Sequence, residues 1–166
     1  SFFGLVFRHA LADAAARAAA PLGAGFALLA LVTGSFWGRP MWGTWWEWGD
    51  PRLVSVLVLF LIYLGYMALQ AAIDDEQKAA RASAILALVG VINLPIIKFS
   101  VDWWNTLHQP ASNFAENDMA PVYQLPFVLT LLGFMALFGA LWLVRTRAEV
   151  WRKQAGRLAL QAAGNA

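Results

Sequence analysis

The chain has 166 residues, 60% of them hydrophobic and 13% charged, with a mean hydropathy of +0.58; this balance excludes an ordinary soluble domain and reads as an integral membrane protein. A net charge of +2 with no basic stripe excludes a nucleic-acid binder, and the lack of cysteine removes disulfides, thiolate metal sites and thiol nucleophiles. The expected fold is all-α, a polytopic transmembrane helix bundle forming one domain over residues 1–166, with about four complete spans after the end of an earlier one.

Residues 1–7 read as the last turns of a span whose beginning is absent, so the chain is expected to be the C-terminal part of a longer protein. Residues 8–20 form an Ala-rich polar connector, expected to be helical, in which His9 beside Arg8 is an ordinary surface residue. The apolar run 21–36 crosses the membrane once the preceding alanines are added, and Gly23, Gly25 and Gly34 suit close helix packing.

Residues 37–52 are the most distinctive stretch. Trp37, Trp42, Trp45, Trp46 and Trp48, more than half of the nine tryptophans, fall between two apolar runs. Gly38, Pro40, Gly43, Gly49 and Pro51 interrupt the segment, so short helical pieces are expected, not one rod. Tryptophan is enriched at membrane interfaces as an anchor, but this density exceeds what anchoring needs. Indoles are rigid, wide and mostly apolar, so the cluster suits a flat, greasy ligand with a polar edge. Arg39 and Arg52 flank it, and Glu47 or Asp50 is placed to hold an arginine or a backbone N–H.

A second span is expected over 53–73, then a charged turn, Asp74-Asp75-Glu76-Gln77-Lys78, which reads as a solvated face with no metal role. The third span, 82–99, should kink or unwind near Pro95, with Lys98 snorkelling outward. The loop 100–124 carries Trp103, Trp104 and His108; if helical, Trp104 and His108 lie one turn apart on one face. The last span covers about 125–144, and the basic tail 145–166 continues as a surface helix.

Basic residues assign the sides. Arg8, Arg17, Lys78, Arg81 and the five cations of the tail share one side, against Arg39, Arg52 and Lys98 on the other. The positive-inside rule makes the first side cytoplasmic and puts the tryptophan segment and the His108 loop together on the outer face. Neutral imidazole is a common iron ligand, and haem is a flat apolar ring whose propionates want cations, so indoles, His108 and the arginines match that molecule.

Residues 42–53, Trp-Gly-Thr-Trp-Trp-Glu-Trp-Gly-Asp-Pro-Arg-Leu, resemble the WWD signature of the haem-handling proteins of cytochrome c biogenesis, and the whole chain resembles the CcmC family, haem exporter protein C. Stretches 30–35, 38–41, 91–97 and 103–109 carry the same likeness. The resemblance implies a six-span bacterial inner-membrane protein with both termini cytoplasmic. Its periplasmic WWD loop and two histidines would hold b-type haem transiently and pass it to the haem chaperone CcmE, alongside CcmA, CcmB and CcmD. On this likeness His108 is the second axial ligand of the haem iron, and the first lies before this chain; His9 does not correspond to it. The ring would rest on Trp42, Trp45, Trp46, Trp48, Trp103 and Trp104, with Arg39, Asp50 and Arg52 at its polar edge. Two departures stand out: Gly49 is inserted before Asp50, and Val54 replaces a common threonine. A haem-attachment enzyme acting on apocytochrome c and a structural subunit of a transporter complex are the alternatives to a carrier.

Overall fold

A computed structural model of the chain describes residues 10–108 and 120–164. Among these there are four helices: α1 (Ala10–Trp42), α2 (Pro51–Ala72), α3 (Glu76–Trp103) and α4 (Pro121–Gly164). All four are long and apolar enough to cross a membrane. The 22 residues of α2 rise about 33 Å at 1.5 Å per residue, matching a hydrocarbon core of about 30 Å.

Several boundaries differ from expectation: α3 starts six residues earlier and ends four later than 82–99, and α4 starts at Pro121 inside the expected loop. The connector and the first span are one helix, because the alanines around Asp13 and Arg17 favour helix strongly and Pro21 is tolerated inside a membrane helix. The same helix runs on through Phe36, Trp37, Gly38 and Pro40 to Trp42, so the first third of the tryptophan segment is helical and only 43–50 is loop. Gly43 ends it with φ +78°, and its N–H donates to the Arg39 carbonyl at 3.1 Å. That is a left-handed glycine cap. The helix α3 continues through Pro95 without unwinding, and the basic tail is an unbroken extension of α4 through residue 164. The readings placed on residues 1–7, on Arg8 and His9, and on residues 109–119 of the second loop lie outside the described residues.

α1 packs on α2 and on α4, and α2 packs on α3. Small residues make the close approach: Ala14, Ala18, Ala24 and Ala27 of α1 and Ala79 and Ala84 of α3 are buried. At Gly23 the Tyr63 ring of α2 takes the space in which a Cβ would stand. Asn93 of α3 donates to the Ser55 carbonyl of α2 at 2.8 Å, a buried polar tie between two apolar helices. Phe26 of α1 meets Phe134 and Phe138 of α4, and the Trp142 indole N–H donates to the Ala15 carbonyl at 2.8 Å. No described residue of α4 is buried, as expected of an edge helix whose outer faces meet lipid or other helices.

Because α1, α2 and α3 alternate in direction, the α1–α2 loop and the end of α3 share one end of the bundle. The α2–α3 turn meets α1 and α4 at the other, where Glu76 pairs with Arg17 at 3.6 Å and with Lys153 at 2.7 Å.

Candidate functional site

The shared end is organised around one carboxylate. Asp50 precedes Pro51, a cap followed by a proline that suits the first turn of a helix, and its Oδ1 accepts the N–H groups of Arg52 and Leu53, each at 3.0 Å. Its Oδ2 faces the chain leaving α3. There it accepts the Thr106 hydroxyl, the Leu107 N–H at 2.9 Å and His108 Nδ1 at 3.2 Å. Asp50 is 2% exposed. Burial pushes its carboxyl up, but the Thr106 hydroxyl, the Leu53 and Leu107 N–H groups and His108 outweigh that and hold it below the ordinary 3.8. A carboxylate can only accept, so the proton of this contact sits on His108 Nδ1, which leaves Nε2 as the ring nitrogen able to serve as a ligand.

The inserted Gly49 is absorbed in a tight turn. Its N–H donates to Glu47 Oε1 at 3.0 Å, and the Asp50 N–H donates to the Glu47 carbonyl at 3.2 Å. Glu47 thus holds backbone N–H, and Asp50 arrives at the start of α2 aimed at the histidine loop.

The indoles at this end pack in small groups. Trp42 lies against His108 with ring centroids 4.7 Å apart and meets Trp37 at 5.1 Å. Trp45 packs edge-on to Phe36 at 5.5 Å, and Trp46 meets Trp48 at 5.5 Å. The positions 42, 45 and 46 do not form a helical face, because the helix stops at Trp42. The Trp104–His108 helical turn is also absent: α3 ends at Trp103, Trp104 is its cap, and Asp50 and Thr106 set the histidine instead. Trp103 stacks on Phe99 at 5.5 Å and meets Trp104 at 5.6 Å. Trp45, Trp48, Trp103 and Trp104 each expose more than half of their surface. The His108 side chain is 19% exposed.

The polar edge divides between the two arginines. Arg39 is occupied: its guanidinium donates to the Gly43 carbonyl and lies 6.0 Å from the centre of the Trp45 ring. Among the described residues the Arg52 guanidinium takes no partner, and the buried Trp46 Nε1 has no acceptor. A buried indole N–H ordinarily finds a partner, so an acceptor-bearing ligand would complete it. Thr106 and Leu107 are site residues that lie outside the sequence candidates, although they fall in the stretch 103–109 that carries the family likeness. Among the described residues there is no cluster of three or more His, Asp or Glu able to hold a bare metal ion.

Comparison with known proteins extends the pattern over the chain. The family model described as Heme exporter protein C matches residues 1–161. Heme exporter protein C of Bradyrhizobium diazoefficiens is 57% identical over 96% of this chain and 61% of its own length. The proteins of that name from Paracoccus denitrificans and Escherichia coli are each 50% identical, over 95% and 89% of this chain and 66% and 59% of theirs. The chain therefore spans about three fifths of the length of these relatives.

Proposed function

The chain belongs to the heme exporter protein C family, and from that premise we propose that its tryptophan end seats haem as cargo on the periplasmic side of a bacterial inner membrane. The observation that carries this reading is the His108 contact set: Nδ1 is held by a buried carboxylate and the ring lies against Trp42. Held so, the imidazole offers Nε2 to iron with its orientation fixed, as histidine ligands backed by a carboxylate do. The exposed indoles offer the flat apolar support that a porphyrin needs, and Arg52 and the Trp46 N–H offer partners for propionates. A second axial histidine comes from the part of the protein outside this chain.

On this reading the protein is a carrier. Haem leaves when the chaperone CcmE offers its own ligand to the iron, and CcmA, CcmB and CcmD form the membrane complex in which the handover takes place. The test uses the full-length protein purified from membranes. His108→Ala lowers retained haem several-fold and lowers delivery to the chaperone in step, while Trp45→Ala and Trp46→Ala weaken haem binding by about 1–3 kcal/mol each through lost stacking. Unchanged haem content in His108→Ala defeats the reading. Attachment of haem to apocytochrome thiols by the purified protein alone would make it an enzyme instead.

A further inference from the structure

At the end of the bundle opposite the indoles, Arg17 of α1 and Arg152, Lys153 and Arg157 of α4 surround Glu76 in one pocket. Four cations face one lining carboxylate there. Glu76 is shared between Arg17 and Lys153, and Glu149 takes Arg152 at 2.8 Å. Two donors are left over among the described residues: the Arg157 guanidinium has no partner, and the buried Arg17 Nε has no acceptor. The surplus positive charge is gathered between three helices and not spread over a solvated tail.

The pocket also has a defined depth. From Arg17 to Trp42 α1 rises about 38 Å, and from Glu76 to Trp103 α3 rises about 40 Å, at 1.5 Å per residue. A bilayer with its headgroup layers is about 40–45 Å thick. With the indoles at one interface, Arg17 and Glu76 therefore lie in the headgroup layer of the opposite leaflet.

We propose that this pocket binds the phosphate of an anionic phospholipid. Phosphate oxygens would take the Arg17 Nε–H and the Arg157 guanidinium, completing both donors with charge-assisted hydrogen bonds. The exposed Leu160 at the rim gives the acyl chains an apolar flank. The lipid would fasten α4, which packs mainly on α1, to the α2–α3 turn. A basic pocket between transmembrane helices at the headgroup level is built for this chemistry.

The experiment follows thermal unfolding of the full-length protein in neutral detergent as phosphatidylglycerol, phosphatidylcholine or inorganic phosphate is added. Phosphatidylglycerol should raise the unfolding temperature and the other two should not. Arg157→Gln should weaken the phosphatidylglycerol response about fivefold, the effect of one cation near an anionic headgroup. Because Arg17→Gln also loosens Glu76, Arg157→Gln, which disturbs no described partner, is the deciding variant. Equal protection by phosphatidylcholine, protection by inorganic phosphate alone, or an unchanged response in Arg157→Gln overturns the proposal. So does loss of a co-purifying subunit in Arg157→Gln with the lipid response intact, which would make the pocket a protein contact. None of these outcomes depends on haem.

Discussion

One oxygen of Asp50 caps α2 and the other holds the chain after α3, so one residue ties together two segments 58 positions apart. Its two functions separate by substitution. Asp50→Ala removes the cap, costing about 1 kcal/mol, and also frees the histidine loop. Asp50→Asn keeps an acceptor for the Arg52 and Leu53 N–H groups but gives Nδ1 a neutral partner, so it should retain more stability than Asp50→Ala while still losing haem. Unfolding in mixed micelles and retained haem measure the two. The pH dependence has a definite sign: a carboxyl held below 3.8 in the fold adds stability above that value and loses it as the pH falls through the lower folded value. The stability gap between wild type and Asp50→Asn should therefore stay constant down to about pH 4 and close below it. The sequence placed Asp50 and His108 on the same face of the membrane, but their pairing was not legible. The Asp50-Pro51 cap signature announces one of the carboxylate's contacts and is silent about the other.

Helix identity and number were readable from hydropathy alone, whereas helix ends were not. A dip in hydropathy at Asp13 and Arg17 looks like a connector, yet an Ala-rich backbone has no reason to break there. Pro40 looks like a breaker, yet α1 runs through it to Trp42 despite the missing N–H bond to the Phe36 carbonyl, and the glycine three residues later makes the stop. Between helices the informative contact is polar. The spans show no polar file in sequence, but Asn93 reaches the Ser55 carbonyl inside the α2–α3 interface. Interhelical hydrogen bonds in membranes contribute about 0.6 kcal/mol on average and at most about 1.7 kcal/mol. Asn93→Ala should lower unfolding stability within that range and leave haem binding unchanged, since Asn93 lies more than two turns of α3 before Trp103. A large loss of haem in this variant would mean that α2 and α3 hold the site through their mutual register.

At the scale of the molecule the two ends carry opposite chemistry. One carries the indoles, His108, Arg39 and Arg52, with Trp42 against the histidine; the other gathers Arg17, Lys153, Arg157 and Glu76. The positive-inside rule turns that asymmetry into an expectation that can be tested, with the basic end in the cytoplasm. Since this chain has no cysteine, single cysteines report sidedness directly once the rest of the protein is made cysteine-free. Asn105 and Gln154 are both exposed and lie at opposite ends. In intact spheroplasts a membrane-impermeant maleimide should label Asn105→Cys at once and Gln154→Cys only after the membrane is opened. The reverse pattern would put the indoles in the cytoplasm and rule out handover to a periplasmic chaperone. Labelling of both in intact spheroplasts would mean that α4 does not cross. Saturating the protein with haem should slow the reaction at Asn105 and leave Gln154 untouched, because only the first neighbours His108.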